Sequence, residues 1–309
     1  MIDEKEVAVI GLGPSGVTAA IYLNRFGLTP ICFEKELVGG QVNKTEKVEN
    51  YTGVGSIKGP ELGMKLDEQL SFFGIKPIYK EVKGITLTKD KTFLVSYGNE
   101  TKEFRYVIIS SGLRPNPFVV PNQEKYSSKG ISRCAICDGP LYKGKDVVVI
   151  GGGNSAFEEA SYLATICSSV TLVARRKEFR AFPSAVDSLK NKENAKIYAP
   201  YVIKSSEGTN TVEEVTIENI ETKEEKKIST SAIFLYVGEK ADSTFINIDP
   251  LNKDENGYIV VNDNRESSIK NLYACGDVIK KELRQVSTAV SDGAIAAHNL
   301  YLDYSKIHG

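Results

Sequence analysis

One strand–turn–helix–strand pattern occurs twice in this chain, at a constant offset of 140 residues, and it dictates the backbone plan. In the first copy, Glu6 to Ile10 reads as a short buried strand, and Gly11-Leu12-Gly13-Pro14-Ser15-Gly16 follows at once. A helical apolar pattern then runs from Val17 to about Phe26, and a second strand from Thr29 to Phe33 ends at Glu34. In the second copy, Asp146 to Ile150 precedes Gly151-Gly152-Gly153-Asn154-Ser155-Ala156. A helical pattern over Phe157 to Thr165 and a strand over Val170 to Val173 complete it. The register holds at Ile10/Ile150, Ser15/Ser155, Ala20/Ala160 and Tyr22-Leu23/Tyr162-Leu163. A single glycine signature is a tight turn in any fold. Two copies, each after a strand and before a helix, predict two dinucleotide folds in which bare backbone and a helix N-terminus hold a pyrophosphate.

The register also makes one difference readable. Glu34 stands at the tip of the second strand, where an acid bonds a ribose 2′-hydroxyl. Its counterpart is Ala174, followed by Arg175, Arg176 and, further on, Arg180. The first site keeps a carboxylate for a free ribose. The second has lost it and gained guanidinium groups, which suit a 2′-phosphate. The expectation is FAD on the first turn and NADPH on the second. The alternative for Arg175 and Arg176 is a solvated basic face.

The fold class expected is α/β, with two Rossmann-like, three-layer ββα nucleotide-binding domains, the NADPH domain inserted into the FAD domain. The Pro-rich stretches Gly112 to Pro117 and Val120 to Asn122 read as a hinge, and Tyr236 to Asp242 as the return crossing. Residues 1–114 and 244–309 then form a discontinuous FAD-binding domain and 115–243 an NADPH-binding domain. The charged run Glu221 to Lys227 reads as a solvated turn between strands.

Bulk properties set the compartment. The chain is 41% hydrophobic and 26% charged with a net charge of −1, a globular composition with no global pull toward nucleic acid or anionic membrane. No apolar run approaches the roughly 18 residues a membrane span needs. The N-terminus enters a strand without a signal peptide, so a cytoplasmic location is expected. In that compartment five cysteines do not form a structural disulfide framework, and a close Cys-x-x-Cys is catalytic or metal-binding.

That motif is Cys134-Ala135-Ile136-Cys137-Asp138-Gly139, between the two glycine turns. Two intervening residues let the thiols close a small ring, so the disulfide is reducible and exchange is fast. A structural zinc needs four ligands. Cys32, Cys167 and Cys275 supply no second Cys-x-x-Cys, and His298 and His308 lie near the C-terminus. The thiolate needs a group to take and return its proton, and Asp138 is the nearest candidate, as a half-buried carboxyl with a raised pKa. Capping the following turn is the other reading of Asp138.

These residues together resemble the low-molecular-weight thioredoxin reductases over essentially the whole chain. Gly39-Gly40-Gln41 and Val48-Glu49-Asn50 look like the family's FAD-contacting loop and flavin-side Asn. Gly276-Asp277 with Arg284-Gln285-Val286 resembles its closing FAD motif, in which the Asp bonds the ribityl chain. Lys35, Val82, Ser111 and Gly112 are assigned to the same FAD site by the resemblance. Gly151 to Ala156 and the arginines of 175–180 resemble its NADPH motifs. The sequence departs at Ala174, where the family usually has His, at Ser110-Ser111-Gly112 for Ala-Thr-Gly, at Cys275 for a small residue, and at Ala241 for Pro. The resemblance implies a homodimeric enzyme that passes electrons from NADPH through FAD and the Cys134/Cys137 dithiol to thioredoxin, with domain rotation between two states. It implies a flavin-proximal Cys137 and a Cys134 that attacks thioredoxin. Alternatives on the same fold are a ferredoxin-dependent thioredoxin reductase and a non-catalytic flavin redox sensor.

Overall fold

The computed structural model describes residues 3–45, 47–116, 120–126 and 129–308. The chain divides into two compact units, Met1–Arg114 with Lys240–Gly309, and Pro115–Glu239.

In the first unit five parallel strands lie in the order Leu272–Ala274, Tyr106–Ile109, Glu6–Ile10, Thr29–Glu34, Ile78–Tyr79. Successive side chains on a strand point to opposite faces, so a sheet covered on both sides needs apolar residues at every position. Val7 and Val9 join Val17, Ala20, Leu23, Leu70 and Leu300 in a cluster with the helices. Ala8 and Ile10 join Ile85, Phe93, Val95 and Phe104 on the other face. Those partners come from a three-stranded antiparallel sheet, Val82–Leu87, Phe93–Tyr97 and Glu100–Phe104.

The second unit repeats the plan. Its parallel sheet runs Ile131–Ser132, Ala232–Tyr236, Asp146–Gly151, Ser169–Val173, Ala195–Tyr198. Val147 and Val149 pack on Phe157, Ala160 and Leu163 of the helix. Val148 and Ile150 pack on Tyr201, Ile203, Val215 and Ile217 of an antiparallel sheet. Each unit is therefore a three-layer ββα sandwich with the strand that enters the glycine turn at its centre.

The two helices after the glycine turns span Pro14–Arg25 and Asn154–Ile166, so each begins three residues before its apolar periodicity does. The first-turn residues are small or polar and carry no periodic signal. Pro14 is favourable there, since the first turn has no use for its missing N–H.

The crossings between units, Leu113–Pro115 and Glu239–Ala241, pair as a two-stranded sheet. The return falls a few residues ahead of position 244. Pro117 of the expected hinge lies outside the described residues. Val120 is in the core of the second unit and Asn122 Nδ2 donates to Ser206 O at 2.9 Å, so that stretch belongs to the unit's own packing. In the charged run, Glu225 to Lys227 begin the Glu225–Ser229 strand, and the residues before them form the turn around Lys223, whose φ is 63°. Among the described residues no helix is long and apolar enough to cross a membrane.

Candidate functional site

Three pieces of chemistry are built from these elements: one glycine turn in each unit, and a dithiol in the second unit.

The first turn is shaped by steric exclusion. Gly11 has φ +93°, and a Cβ there would lie 2.6 Å from Ser110 O. A Cβ on Gly16 would lie 1.9 Å from Gly11 O, so the turn closes only with glycine at both positions. Gly13 is different: its Cβ direction is open except for Gly39 O at 3.9 Å. It caps the helix in an extended conformation without any side-chain cap, which leaves the first N–H groups facing that open side. Ser110 Oγ braces the turn by donating to Gly11 O at 2.8 Å.

Glu34 is buried, and its two oxygens accept from Leu12 N at 2.8 Å and Glu36 N at 2.9 Å. Each oxygen retains a lone pair for a hydroxyl donor. The acid thus orders the turn as well as offering an acceptor beside it. Lys35 pairs with Asp242 at 2.8 Å. Gly39 and Gly40 form a loop over the turn, with Gly39 N donating to Leu12 O at 2.8 Å. Gln41 Nε2 reaches Leu113 O at 3.3 Å.

The remaining first-unit candidates fall into smaller groups. Asn50 and Gln285, 235 residues apart in sequence, meet through a 2.9 Å hydrogen bond. Ser111 Oγ donates to Asp242 O at 2.6 Å, beside Gly112. Gly276 lies against Ser15, where a Cβ would come within 2.3 Å of the hydroxyl. Asp277 Oδ1 is buried without a well-aligned hydrogen bond, and the Lys281 ammonium lies 3.2 Å away. Burial pushes the Asp277 carboxyl above its ordinary range, against the pull of Lys281 and Arg284. The Arg284 guanidinium lies over the Tyr258 ring at 4.1 Å. Val286 opens the Val286–His308 helix. Val82 opens an antiparallel strand and is buried in the core.

In the second turn a Cβ on Gly151 would lie 2.4 Å from Tyr236 O, while Gly153 has nothing within 4 Å of its Cβ direction. Gly153 caps the helix in extended conformation, again with no side-chain cap. Asn154 Oδ1 accepts from Phe182 N at 2.6 Å, and Arg180 N donates to Gly152 O at 2.9 Å. These bonds fold the 175–182 loop back onto the turn. Arg175, Arg176 and Arg180 are all exposed there, as is Ser155. Ala174 and Ala156 are buried. At Ala174 no carboxylate braces Gly152 as Glu34 braces Leu12. Both cradles, open at the middle glycine and lined by uncapped helix N–H groups, fit a dinucleotide pyrophosphate; the exposed Arg175, Arg176 and Arg180 stand beside the second.

Cys134 and Cys137 form a disulfide, with Cα atoms 5.3 Å apart. Cys134 caps the short helix Ala135–Asp138, and its sulfur accepts from Cys137 N at 3.2 Å. Such a bond favours a thiolate on Cys134 once the pair is reduced. Cys137 is exposed and Cys134 half-buried. Ser132 Oγ donates to Asp138 Oδ2 at 2.7 Å and accepts from Cys134 N at 3.1 Å. Tyr236 holds the other side: its hydroxyl accepts from Ala135 N at 2.8 Å. Burial pushes the Tyr236 phenol far above its ordinary range, so it stays neutral. Ser132 and Tyr236 had no motif to mark them. Tyr236 lies 101 residues from Ala135, and the pairing of the Ala232–Tyr236 strand beside Ile131–Ser132 brings it there.

Comparison with known proteins places the chain in a family. Residues 5–293 match the family described as pyridine nucleotide-disulphide oxidoreductase. The chain is 38% identical to a thioredoxin reductase of Bacillus subtilis, over 97% of this chain and 95% of that one. It is 36% identical to a 34.2 kDa protein in the rubredoxin operon of Clostridium pasteurianum, over 96% of this chain and 97% of that one. The crystal structure of a thioredoxin reductase from Lactococcus lactis superposes with a TM-score of 0.92 at 34% identity, covering 97% of this chain and 99% of that one.

Proposed function

Because the chain belongs to the pyridine nucleotide-disulphide oxidoreductase family, in the branch of the thioredoxin reductases, we propose that it is an NADPH-dependent flavoprotein reducing the disulfide of thioredoxin. The observation that carries this reading is the Cys134–Cys137 disulfide in a chain with two open glycine turns of unlike chemistry.

In this reading Gly11, Gly13, Ser15, Gly16, Glu34, Asn50, Asp277 and Gln285 hold FAD. Gly151, Gly153, Asn154 and Ala156, with Arg175, Arg176 and Arg180, hold NADPH. Bound FAD would supply a two-electron carrier between NADPH and the Cys134–Cys137 disulfide.

The protein's own residues then perform the exchange. The Cys134 thiolate, favoured by the Cys137 N–H, attacks one sulfur of the partner disulfide and releases the other as a thiolate. Cys137 attacks Cys134 of the mixed disulfide, re-forming the Cys134–Cys137 bond and freeing the partner as a dithiol. Two electrons leave the enzyme dithiol, and the departing thiolates take up the protons its thiols lose. Asp138 is the group that passes them, oriented by the Ser132 hydroxyl.

Cys134→Ser and Cys137→Ser test this directly. Each variant should retain FAD and lose thioredoxin reduction by NADPH; near-normal turnover in both would rule out the relay.

A further inference from the structure

The first unit holds a chain of alternating charge behind Asp277 that the exchange reaction does not use, with Asp292 buried and Asp277, Lys281 and Arg265 half-buried. Lys281, with its side chain 13% exposed, places its ammonium 3.2 Å from Asp277 Oδ1 and 2.8 Å from Asp292 Oδ2. Thr288 Oγ1 lies 3.4 Å from the same nitrogen. Asp292, 5% exposed, also accepts from Arg265 Nε at 2.9 Å and from Gly276 N at 3.3 Å. Three separate stretches meet here: the turn at Arg265, the Gly276–Lys281 segment and the Val286–His308 helix.

Stability alone does not account for this network. Removing several ions from water costs more than burying apolar side chains of similar volume, and ordering a lysine costs side-chain entropy. What the network provides is geometry. An ammonium has three donors and no acceptor, and these three lie among Asp277, Asp292 and Thr288. Asp292 is itself fixed on its far side by Arg265. Asp277 therefore faces a cation that cannot swing away. Burial and the nearby Asp292 favour a protonated Asp277, while Lys281 and Arg284 oppose that and favour the carboxylate.

We propose that Lys281 is a positioning residue of the flavin site: gripped by Asp292, and through it by Arg265, it fixes the Asp277 carboxylate as an oriented acceptor for a hydroxyl of FAD. This rests on the reading of Asp277 as a flavin ligand. Lys281 does not touch the cofactor in this account; it acts through Asp277.

A double-mutant cycle on FAD affinity tests it. Apoprotein is titrated with FAD, following flavin fluorescence, in the parent, Lys281→Met, Asp277→Asn and the double variant, with urea midpoints of each apoprotein alongside. Met keeps the unbranched stem and removes the charge. Lys281→Met should weaken FAD about tenfold in the parent, the scale of one charge-assisted hydrogen bond. In the Asp277→Asn background it should weaken FAD less than about twofold, because the group it orients is no longer charged. Equal weakening in both backgrounds would assign Lys281 to packing and overturn the proposal. So would unchanged binding in Lys281→Met while Asp277→Asn binds poorly, which leaves Asp277 as a ligand. Parent-like binding by Asp277→Asn would overturn the reading of Asp277 itself and the proposal with it. Should Lys281→Met fail to fold, Lys281→Gln takes its place in the same cycle.

Discussion

Among single side chains, the five cysteines divide sharply by surroundings. Cys134 and Cys137 sit at or near the surface in a disulfide, whereas Cys32, Cys167 and Cys275 are buried and free. Burial pushes the Cys32 and Cys275 thiols up to about 12 and the Cys167 thiol up to about 11. Thiolate is the reactive form, so in folded, reduced protein near neutral pH iodoacetamide should label Cys134 and Cys137 and spare the other three; mass spectrometry of the peptides reads this out. Labelling of Cys275 at a comparable rate would contradict its burial. Asp138 makes a second case. Its Oδ2 accepts from Ser132 Oγ, which holds the carboxyl in place; on the proposed proton role, Asp138→Asn should slow thioredoxin reduction about 100-fold, within the range of general acid–base effects, while leaving flavin reduction by NADPH intact. Unchanged turnover would reduce Asp138 to a turn residue. The dithiol was legible because its two cysteines stand in one short motif, with the proposed acid Asp138 directly after Cys137. Ser132 lies only two residues before Cys134, yet no motif singles it out.

Among the secondary-structure elements, the strand–turn–helix units were legible because three independent signals coincide: continuous apolar strands, glycine spacing and helical periodicity. Helix starts were not, because Pro14 to Gly16 and Asn154 to Ala156 carry no apolar period. The two turns also differ in a testable way. A methyl at Gly16 meets Gly11 O at 1.9 Å, while the equivalent Ala156 is accommodated in the second unit. Gly16→Ala should therefore destabilise the first unit by about 2 kcal/mol or more and release FAD, whereas Ala156→Gly should keep NADPH binding. Unfolding midpoints and retained flavin decide it. In the proposed function the loop after the Ser169–Val173 strand discriminates between nucleotides. Replacing both Arg175 and Arg176 by Ala should weaken NADPH about 100-fold or more, at roughly one charge-assisted pair each, and change NADH little. Equal losses for both nucleotides would leave these arginines as surface charge.

For the molecule as a whole, the repeat carries the architecture: two ββα sandwiches of the same layer order, with the strands of 140-residue offset at the centre of each sheet. What the repeat cannot encode is the pairing of remote segments. The Val286–His308 helix is tied down through Asp303, which accepts from Lys270, Tyr273 and Lys306. Burial alone would raise this carboxyl, but those hydrogen bonds win and hold it down to about 2. A depressed folded-state pKa contributes stability that is present above the unfolded value near 4 and lost as pH falls toward about 2. Asp303→Asn should thus be less stable than the parent by about 1 kcal/mol near pH 6, allowing for solvent screening, with the gap closing between about pH 4 and pH 2; chemical denaturation across that range measures it. The most direct measurement on the electron path is anaerobic titration of the flavin-loaded protein with NADPH and, separately, with NADH, following flavin absorbance. Rapid bleaching by NADPH at low concentration and little by NADH is the expected result. No bleaching by either nucleotide, with the flavin still reducible by dithionite, would contradict it and mean that the second glycine turn does not serve as the electron entry.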